Sequence, residues 1–312
     1  MDGYLQLRGI TKRFGDKIAV DVLDLAVPKG RIYGIIGPNG AGKTTTIRMI
    51  MNIIAPDSGD ILVDGKPTDP EFKNRVGYLP EERGLYRKMT LREVVLYLGE
   101  LKNTPRRILD SRLDGWLQRM GLSEYKNRKV EELSKGMQQK LQIITTLIHD
   151  PDIIILDELF SGLDPLNIEL IKNILLELRR EGKTILFSTH VMEQAEKLCD
   201  YICMINGGKM VLNGSLSEIK SRHGKNSIHL EIDGDGAFLA ELPGVERVTT
   251  FTNYFELTLF DIGRSNDVLK AISSRVTVLR FERIEPSLYN IFIRLAGKLD
   301  DDGGAGRGEV DA

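Results

Sequence analysis

One short segment, residues 37–44, constrains the fold of this chain more than any other feature. It fills the pattern G-x-x-x-x-G-K-[ST]. The apolar run Ile32–Ile36 precedes it, and residues 45–54, which have a helical pattern, follow it. The order strand, glycine-rich loop, helix is typical of a phosphate-binding loop and predicts an α/β fold with a largely parallel sheet. The segment consists of Gly37, Pro38, Asn39, Gly40, Ala41, Gly42, Lys43 and Thr44.

The residue types in this segment suit a polyphosphate ligand. Glycines allow backbone N–H groups to wrap around phosphates, and the N-terminus of the following helix favours negative charge. We expect Lys43 to reach the β and γ phosphates and the Thr44 hydroxyl to bind Mg²⁺. We also expect Thr45 to contact the nucleotide. The alternative is a glycine-rich turn without a ligand, which is disfavoured because strand and helix patterns flank the loop.

Two acidic residues supply the second half of the candidate site. The run Ile153–Leu156 predicts a buried parallel strand, and Asp157 and Glu158 follow it directly. Ligands of open α/β sheets bind at this edge of the sheet. We therefore expect Asp157 to hold the metal, and Glu158 to orient and deprotonate a water that attacks the γ phosphate. The alternative is a pair of acids that only caps the strand end.

The chain is long enough for about two domains. Strand and helix patterns alternate over residues 1–222, and a helical insert over about 84–136 begins with Thr90 and Glu93 spaced as a capping box. Asp164 and Pro165 predict the start of another helix, which Gly182 ends. Residues 184–188 predict the next strand, which completes a β-α-β unit with Ile153–Leu156. Turn residues near 206–208 and 213–214 predict a small hairpin at the end of this domain. Residues 227–298 predict a small α+β domain, with strand-like runs at 227–232, 254–259 and 276–281 and one helical pattern between them.

Two polar segments are predicted to lack a fold of their own. The basic stretch 220–226 is expected to be a linker. Residues 299–312 contain five acids and four glycines and are expected to form a disordered acidic tail.

Charge and cysteine content exclude several classes of function. The chain has 43 basic and 45 acidic residues, so no overall positive field attracts nucleic acid, and no nucleic-acid partner is expected. No apolar run is long enough to span a membrane, and the first residues do not resemble a signal peptide. The spacing of Cys199 and Cys203, on a predicted helix, does not fit a CxxC pair. Both are expected to be buried packing residues in a reducing compartment.

Further motifs stand in a fixed order along the chain. Residues 133–137 read Leu-Ser-Lys-Gly-Met and lie 20 residues before Ile153–Leu156. Residues 161–164 read Ser-Gly-Leu-Asp, residues 188–190 read Ser-Thr-His, and residues 77–81 read Gly-Tyr-Leu-Pro-Glu. With the phosphate-binding loop, they resemble the signature motif, D-loop, switch histidine and Q-loop of ATP-binding cassette (ABC) ATPases. The resemblance covers residues 4–222, about 70% of the chain.

The resemblance implies a head-to-tail pair of ATPase domains with ATP between them. Ser134 and Gly136 of one protomer would then approach the γ phosphate that Lys43 binds in the other. His190 would hydrogen-bond the γ phosphate, although a histidine after a strand is by itself more often a packing residue. Phe14 stands where an aromatic side chain stacks on adenine, and its alternative is a place in the core.

Four residues depart from the family pattern. Glu81 replaces a glutamine that contacts metal, water and the transmembrane partner. Lys135 and Met137 replace glycine and glutamine in the signature motif. Leu159 stands where a proline commonly follows the catalytic glutamate, which could loosen the turn into the D-loop. The residues with direct chemistry are all present, so we expect the site to hydrolyse ATP with Mg²⁺.

These observations predict the ATPase subunit of a membrane ABC transporter of the ABC-2 exporter type. Its partners would be a separate transmembrane permease and a second ABC ATPase subunit, either a copy of this chain or a relative. It would be cytoplasmic and peripheral on the inner face of the membrane. The permease is expected to dock at residues 83–90, beside Glu81, where Leu85, Tyr86 and Met89 either form an apolar patch or cover the chain's own core.

Two alternatives belong to other classes. A soluble ABC ATPase that acts on ribosomes or nucleic acid usually carries two ATPase copies or a long coiled coil, whereas this chain has one phosphate-binding loop and a short insert. A GTPase would need an Asn-Lys-x-Asp guanine motif, which is absent. Neither a GTPase nor a small-molecule kinase explains residues 133–137 and 188–190.

Overall fold

The computed structural model describes residues 3–81, 84–160, 162–223, 226–293 and 295. The chain divides into two compact units, residues 1–213 and 214–312. The strands are β1 (Leu5–Phe14), β2 (Lys17–Val27), β3 (Ile32–Ile36), β4 (Ser58–Val63), β5 (Lys66–Pro67), β6 (Val76–Leu79), β7 (Ile153–Leu156), β8 (Thr184–Thr189), β9 (Tyr201–Asn206), β10 (Lys209–Ser215), β11 (Ser227–Asp233), β12 (Val245–Thr250), β13 (Phe255–Leu259) and β14 (Thr277–Ile284). The α-helices are α1 (Lys43–Ile50), α2 (Leu91–Glu100), α3 (Arg106–Met120), α4 (Lys135–Leu147), α5 (Pro165–Arg180), α6 (Met192–Leu198), α7 (Leu216–His223) and α8 (Ser265–Ser273).

A six-stranded sheet forms the centre of the first unit, in the order β10-β9-β3-β8-β7-β6. Strands β9, β3, β8, β7 and β6 pair in parallel. Every residue of β3, β7 and β8 is buried, as expected for parallel strands covered on both faces. The parallel arrangement brings the carboxyl ends of these three neighbouring strands to one edge of the sheet.

The predicted β-α-β unit around the second strand is confirmed. Strand β7 has the predicted bounds, and α5 begins after Asp164, whose side chain accepts a hydrogen bond from the Asn167 N–H. The helix ends before Gly182, which has the left-handed conformation (φ 88°) typical of a residue that follows a helix. Strand β8 then returns parallel to β7.

A second, antiparallel sheet, which the largely parallel pattern did not predict, packs in the same unit. Its order is β2-β1-β4-β5, and β1 pairs with β2 as a hairpin. The apolar side chains of β1 and β2 join those of β3 and α1 in one buried core. Alternating half-buried strands of this kind carry a weaker sequence signal than the continuous apolar run of a central strand.

The helical insert contains α2 and α3 and leads into α4. The capping box at the start of α2 is confirmed, because Thr90 and Glu93 each accept a backbone hydrogen bond from the other residue. Helix α4 starts at Lys135 and continues to Leu147, so helical structure extends beyond the predicted limit of 136. Helix α1 is shorter than the predicted 45–54, because the chain turns at Asn52, whose φ is 49°.

The second unit contains a four-stranded antiparallel sheet in the order β12-β13-β11-β14. Its three predicted strands and its helix, α8, are confirmed, whereas β12 was not predicted. Helix α7 covers residues 220–223 of the stretch predicted as a linker, and the Glu218 N–H donates to Ser215 Oγ at its start. The predicted turn at 213–214 is wrong, because both residues lie in β10. The predicted tail at 299–312 lies outside the described residues.

Two further predictions concern cysteines and membrane spans. Both cysteines are buried and unpaired, but the predicted shared helix is wrong, because Cys199 follows the end of α6 and Cys203 lies in β9. Within the described ranges, no helix has the length and apolar character needed to cross a bilayer.

Candidate nucleotide site

The candidate site residues gather at the carboxyl edge of the parallel sheet. Strand β3 leads into the loop at 37–42, β7 leads into Asp157 and Glu158, and β8 leads into His190. The three strands are neighbours, with Ile36 opposite Thr189 and Leu156 opposite Phe187. Three chain segments that are distant in sequence therefore supply one site.

The loop requires glycine at two of its positions, because a side chain at either one would collide with a backbone carbonyl oxygen. A Cβ on Gly37 would lie 2.1 Å from the Ile205 carbonyl oxygen. Gly42 precedes α1 with φ of 108°, and a Cβ there would lie 2.4 Å from the Ala19 carbonyl oxygen. Both positions are closed to larger residues, so the close approach of the loop to β2 and β9 depends on glycine.

Lys43 is a buried cation at the first position of α1. Its ammonium Nζ donates to the carbonyl oxygens of Gly37 (2.9 Å) and Pro38 (3.1 Å) and lies 3.3 Å from Glu158 Oε1. Only 5% of its surface is exposed. The chain therefore holds one positive charge in the middle of the loop, where a polyphosphate would place its negative charge.

Asp157 is fully buried and bonded through one oxygen only. Thr44 Oγ1 donates to Asp157 Oδ1 at 3.2 Å, and Ser188 Oγ donates to the same oxygen. Within the described chain, Asp157 Oδ2 has no hydrogen-bond partner. Burial raises the pKa of this carboxyl, although the bonds from Ser188 and Thr44 act in the opposite direction.

The oxygens of Thr44 and Asp157 fit a magnesium ion. Mg²⁺ prefers oxygen ligands and is usually held by one or two protein groups together with substrate phosphates. Among the described residues, no group of three or more His, Cys, Asp or Glu side chains could hold a metal by itself. The buried, unpartnered Asp157 Oδ2 beside a hydroxyl suits an ion that phosphates help to hold.

Glu158 connects Lys43 to His190. Its Oε1 lies near Lys43 Nζ, and its Oε2 lies 2.9 Å from His190 Nδ1, so an N–H at that nitrogen donates to the carboxylate. The backbone of Glu158 is in the left-handed region, with φ of 48°, and its N–H donates to Ser188 Oγ at 3.0 Å. A carboxylate held between a buried cation and a half-exposed histidine is suited to accept a proton from water.

A cleft of about 300 Å³ lies over the loop. It contains most of the predicted nucleotide contacts, including the exposed ring of Phe14 and the side chain of Glu81. Two further residues, Lys17 and Ala19, were not predicted. They come from the β1–β2 hairpin, and the only signal in the sequence was the position of Phe14 beside them. The cleft is lined by Phe14, Lys17, Ala19, Asn39, Gly40, Gly42, Lys43, Thr44, Thr45, Glu81 and Glu158.

The signature residues lie elsewhere in the first unit. Ser134 precedes α4 and accepts a hydrogen bond from the Met137 N–H at 3.3 Å. Neither Ser134 nor Gly136 is among the described residues that line the cleft. Ser134 is exposed, and among the described residues a Cβ on Gly136 would meet only Asn167 Nδ2, at 3.8 Å. The start of α4 is therefore an open surface that can approach another molecule.

The segment after Glu158 is packed into the core. Leu159, at the position where a proline was expected, is 1% exposed, and the ring of Phe160 packs edge-on against Phe187. Ser161 of the predicted D-loop lies outside the described residues. The buried side chain of Leu159 therefore holds the start of this turn by packing, whereas a proline would restrict it by fixing φ.

Comparisons with known proteins agree with this geometry. A family model described as ABC transporter matches residues 20–161, and a model described as the C-terminal domain of DrrA1-3-like ATP-binding proteins matches residues 214–296. The ABC transporter ATP-binding protein YhaQ of Bacillus subtilis is 42% identical over 94% of this chain and 98% of its own length. The chain belongs to the ATP-binding proteins of ABC transporters.

Other relatives of this ABC protein extend the comparison. The Nod factor export ATP-binding protein I of Cupriavidus pinatubonensis is 33% identical over 96% of this chain and 92% of its own. The solved structure of an ATP-binding subunit of an ABC transporter superposes with a TM-score of 0.65, at 30% identity over 70% of this chain and 92% of that one. A dimeric post-hydrolysis cassette bound to ADP and Pi superposes with a TM-score of 0.62, at 25% identity over 68% and 98% of the two chains.

The predicted family and fold class are confirmed by these matches. The chain is an ATP-binding ABC ATPase with a phosphate-loop core and an additional C-terminal domain of the DrrA-like type.

Proposed function

We propose that this ATPase subunit powers an exporter by closing head to tail on a second ABC ATPase subunit, with a separate permease as its membrane partner. The observation that carries the proposal is the separation of the two halves of the site. The phosphate loop and Glu158 line one cleft, and Asp157 and His190 contact its wall through Thr44 and Glu158, whereas Ser134 stands exposed at the start of another helix. Such a helix start binds anions, and a second subunit would supply the phosphate.

Within one subunit, each polar group of the cleft has a defined task. Lys43 and the loop N–H groups bind the β and γ phosphates, and Phe14 provides a ring for the adenine. The oxygens of Thr44 and Asp157 hold Mg²⁺, which neutralises phosphate charge when bound, and Glu81 lies in the same cleft near this site. Thr45 and Asn39 complete the phosphate contacts at the cleft wall.

Glu158 is the proposed general base. Its carboxylate accepts a proton from the attacking water, and the contact with His190 keeps the carboxylate turned toward the γ phosphate. His190 is half exposed, so its other ring nitrogen is available for the γ phosphate.

The partner subunit completes the anion site. Ser134 Oγ and the N–H groups at the start of α4 donate to the γ phosphate held by Lys43 of the other subunit. Each charge-assisted hydrogen bond of this kind contributes about 1.5–3 kcal/mol. ATP therefore stabilises the closed pair, and its hydrolysis removes the bridging phosphate.

Export and membrane attachment rest on two lines of support. A relative named for Nod factor export matches nearly the whole chain, including the C-terminal domain. Tyr86 is 52% exposed and packs edge-on against Tyr97, with ring centroids 5.3 Å apart. Tyr86, which packs on Tyr97 of α2, is an exposed aromatic side chain of the segment proposed to dock the permease, which would hold the subunit on the inner face of the membrane.

Affinity purification from native membranes in mild detergent tests this proposal. We expect a polytopic membrane protein in stoichiometric amount, and its loss with Tyr86→Ser but not with Tyr125→Ser, a control at another exposed tyrosine of the insert. Both variants should hydrolyse ATP normally once purified. Recovery from the soluble fraction alone, or with ribosomes, would contradict the transport function and leave the ATPase chemistry standing.

A further inference from the structure

Ser188 is a fully buried residue in β8. The neighbouring strand, β7, leads into Asp157 and Glu158. Strand β7 pairs with β8 so that Leu156 lies opposite Phe187. The next residues along the two strands are Asp157 and Ser188, which therefore lie side by side at the carboxyl edge of the sheet.

The hydroxyl of Ser188 makes one bond to each acidic residue. As a donor, Ser188 Oγ bonds to Asp157 Oδ1, and as an acceptor it receives the Glu158 N–H at 3.0 Å. A serine hydroxyl has one donor, and in a buried site its lone pairs need partners. One oxygen atom, Ser188 Oγ, thus bonds both to the residue proposed to hold the metal and to the residue proposed to activate water.

The bond to Glu158 acts on a residue with an unusual backbone. Glu158 has φ of 48°, a conformation that a side chain disfavours and that surrounding contacts must maintain. With the backbone in this conformation, the carboxylate lies between Lys43 and His190. A flip to the ordinary region would move the carboxylate away from both.

The bond to Asp157 leaves that carboxylate with one oxygen for a ligand. Both Ser188 and Thr44 donate to Oδ1, and Oδ2 is the buried atom without a partner in the described chain. Two donors on the same oxygen fix the rotation of the carboxylate and keep Oδ2 available for a cation.

We propose that Ser188 is a positioning residue that orients both the metal ligand Asp157 and the base Glu158. Metal binding and water activation then depend on the same hydroxyl. This inference rests on the roles proposed above for the two acids. Ser188 is fully buried and is not among the described residues that line the cleft, so its proposed effect passes through its two neighbours.

The test compares purified full-length Ser188→Ala with Thr184→Val. Thr184 is also buried in β8, but its hydroxyl accepts from the Gly30 N–H at the other end of the strand. We expect Ser188→Ala to lower kcat by about tenfold to a hundredfold, the loss expected for a hydrogen bond to a charged group. The Mg²⁺ concentration that gives half-maximal rate should rise, while metal-free ATP binding should not change. Thr184→Val should alter thermal stability without altering kcat or the Mg²⁺ requirement, and Ser188→Thr, which keeps the hydroxyl, should recover part of kcat.

A double-mutant comparison separates positioning from a general structural role. If Ser188 acts on water activation through Glu158, then Ser188→Ala should have little further effect on single-turnover hydrolysis at saturating Mg²⁺ once Glu158→Gln is present. The inference would be overturned if Ser188→Ala lowered the rate of hydrolysis equally in the presence and absence of Glu158→Gln. It would also be overturned if Ser188→Ala and Thr184→Val had the same kcat and the same Mg²⁺ dependence. A Glu158→Gln variant with normal turnover would instead remove the proposed role of Glu158 itself, and this inference with it.

Discussion

The nucleotide cleft and the C-terminal sheet both bury polar side chains, but they use them differently. At the cleft, Lys43 is buried at the start of α1, Asp157 and Glu158 are buried after β7, and one carboxylate oxygen of Asp157 has no partner among the described residues. In the C-terminal unit, Glu256 is 1% exposed and accepts the Ser287 N–H at 3.2 Å, which attaches the helical segment 288–293 to the sheet. The first set of groups is proposed to serve the nucleotide, whereas the second set forms hydrogen bonds within the fold.

This difference separates the expected effects of substitutions. Isosteric changes in the cleft remove chemistry and leave packing intact, so they should affect turnover more than stability. Changes in the core of the C-terminal unit remove packing and should affect stability more than turnover. The following four predictions test whether the two regions are in fact separable in this way.

The largest expected effect is that of Glu158→Gln on turnover. The amide keeps the size of the side chain but cannot accept the proton, so ATP turnover should fall by about 10²–10⁴ while ATP binding is retained. A coupled phosphate-release assay and a nucleotide titration measure the two quantities. Normal turnover would transfer the base role to another group, of which His190, 2.9 Å from Glu158, is the nearest candidate.

The second prediction concerns the exposed start of α4. In the Glu158→Gln background, ATP with Mg²⁺ should convert monomers to dimers, and Ser134→Arg should abolish this conversion because a bulky cation replaces a hydrogen-bond donor at the contact. Nucleotide affinity of the monomer should not change. Light scattering with and without ATP measures the mass, and Ser123→Arg, at an exposed serine of the same insert, is the control. Normal dimers of the Ser134→Arg variant would be incompatible with the head-to-tail arrangement.

The third prediction addresses the C-terminal unit. Leu257 is fully buried in the core that β13 shares with α8. Leu257→Ala should destabilise that unit by about 2–5 kcal/mol, the usual cost of a core cavity. Hydrogen exchange of β11 to β14 measures the loss, and kcat of the folded variant should equal that of the wild type. A fall in kcat without a fall in stability would show that the two regions are coupled.

The smallest expected effect concerns the pH dependence of stability in the first unit. Burial, together with the nearby charge of Lys102, lowers the pKa of His149 to about 4, although the Val76 carbonyl and Asp150 act in the opposite direction. As the pH falls, a histidine in the unfolded chain, with a pKa of about 6.5, binds a proton at a higher pH than His149 does in the folded chain. The contribution of His149 to stability is therefore complete above about pH 6.5 and falls as the pH drops toward 4, by about 3 kcal/mol.

The variant His149→Leu tests this assignment. Urea unfolding between pH 4 and pH 7 should show a weaker loss of stability on acidification than the wild type. His229, which is in the C-terminal unit and bonds to Glu231, serves as a comparison site through His229→Gln. An identical pH dependence of wild type and His149→Leu would contradict the origin assigned to the effect.

The sequence predicted the central sheet and most of the cleft, because these depend on local patterns. Continuous apolar runs identified β3 and β7, and the phosphate loop and paired acids identified the residues at their ends. The sequence did not predict the antiparallel sheet of β1 and β2, whose half-buried strands lack a continuous apolar run. It therefore also missed Lys17 and Ala19, since a residue on a distant hairpin reaches the cleft only through tertiary packing.

Two finer features of the site could not be read from the chain. The left-handed backbone of Glu158 carries no sequence signal, because a non-glycine residue adopts it only where the surrounding contacts hold it there. The double role of the Ser188 hydroxyl depends on the register between β7 and β8, which pairs residues 31 positions apart. Motif spacing predicts which residues carry chemistry, but not which neighbours orient them.

Mixing two inactive variants tests the central claim, that each ATP site is shared between two subunits. Lys43→Ala removes the phosphate contact of its own cleft, and Ser134→Arg damages the cleft of its partner. In a mixed pair, one site combines an intact Lys43 with an intact Ser134. The account predicts that an equimolar mixture recovers up to about a quarter of wild-type ATPase activity, as expected for random pairing with one working site in each mixed dimer. The shared-site claim would be contradicted if the mixture were no more active than the two variants measured separately. The wild-type protein, measured alone in the same assay, must be active.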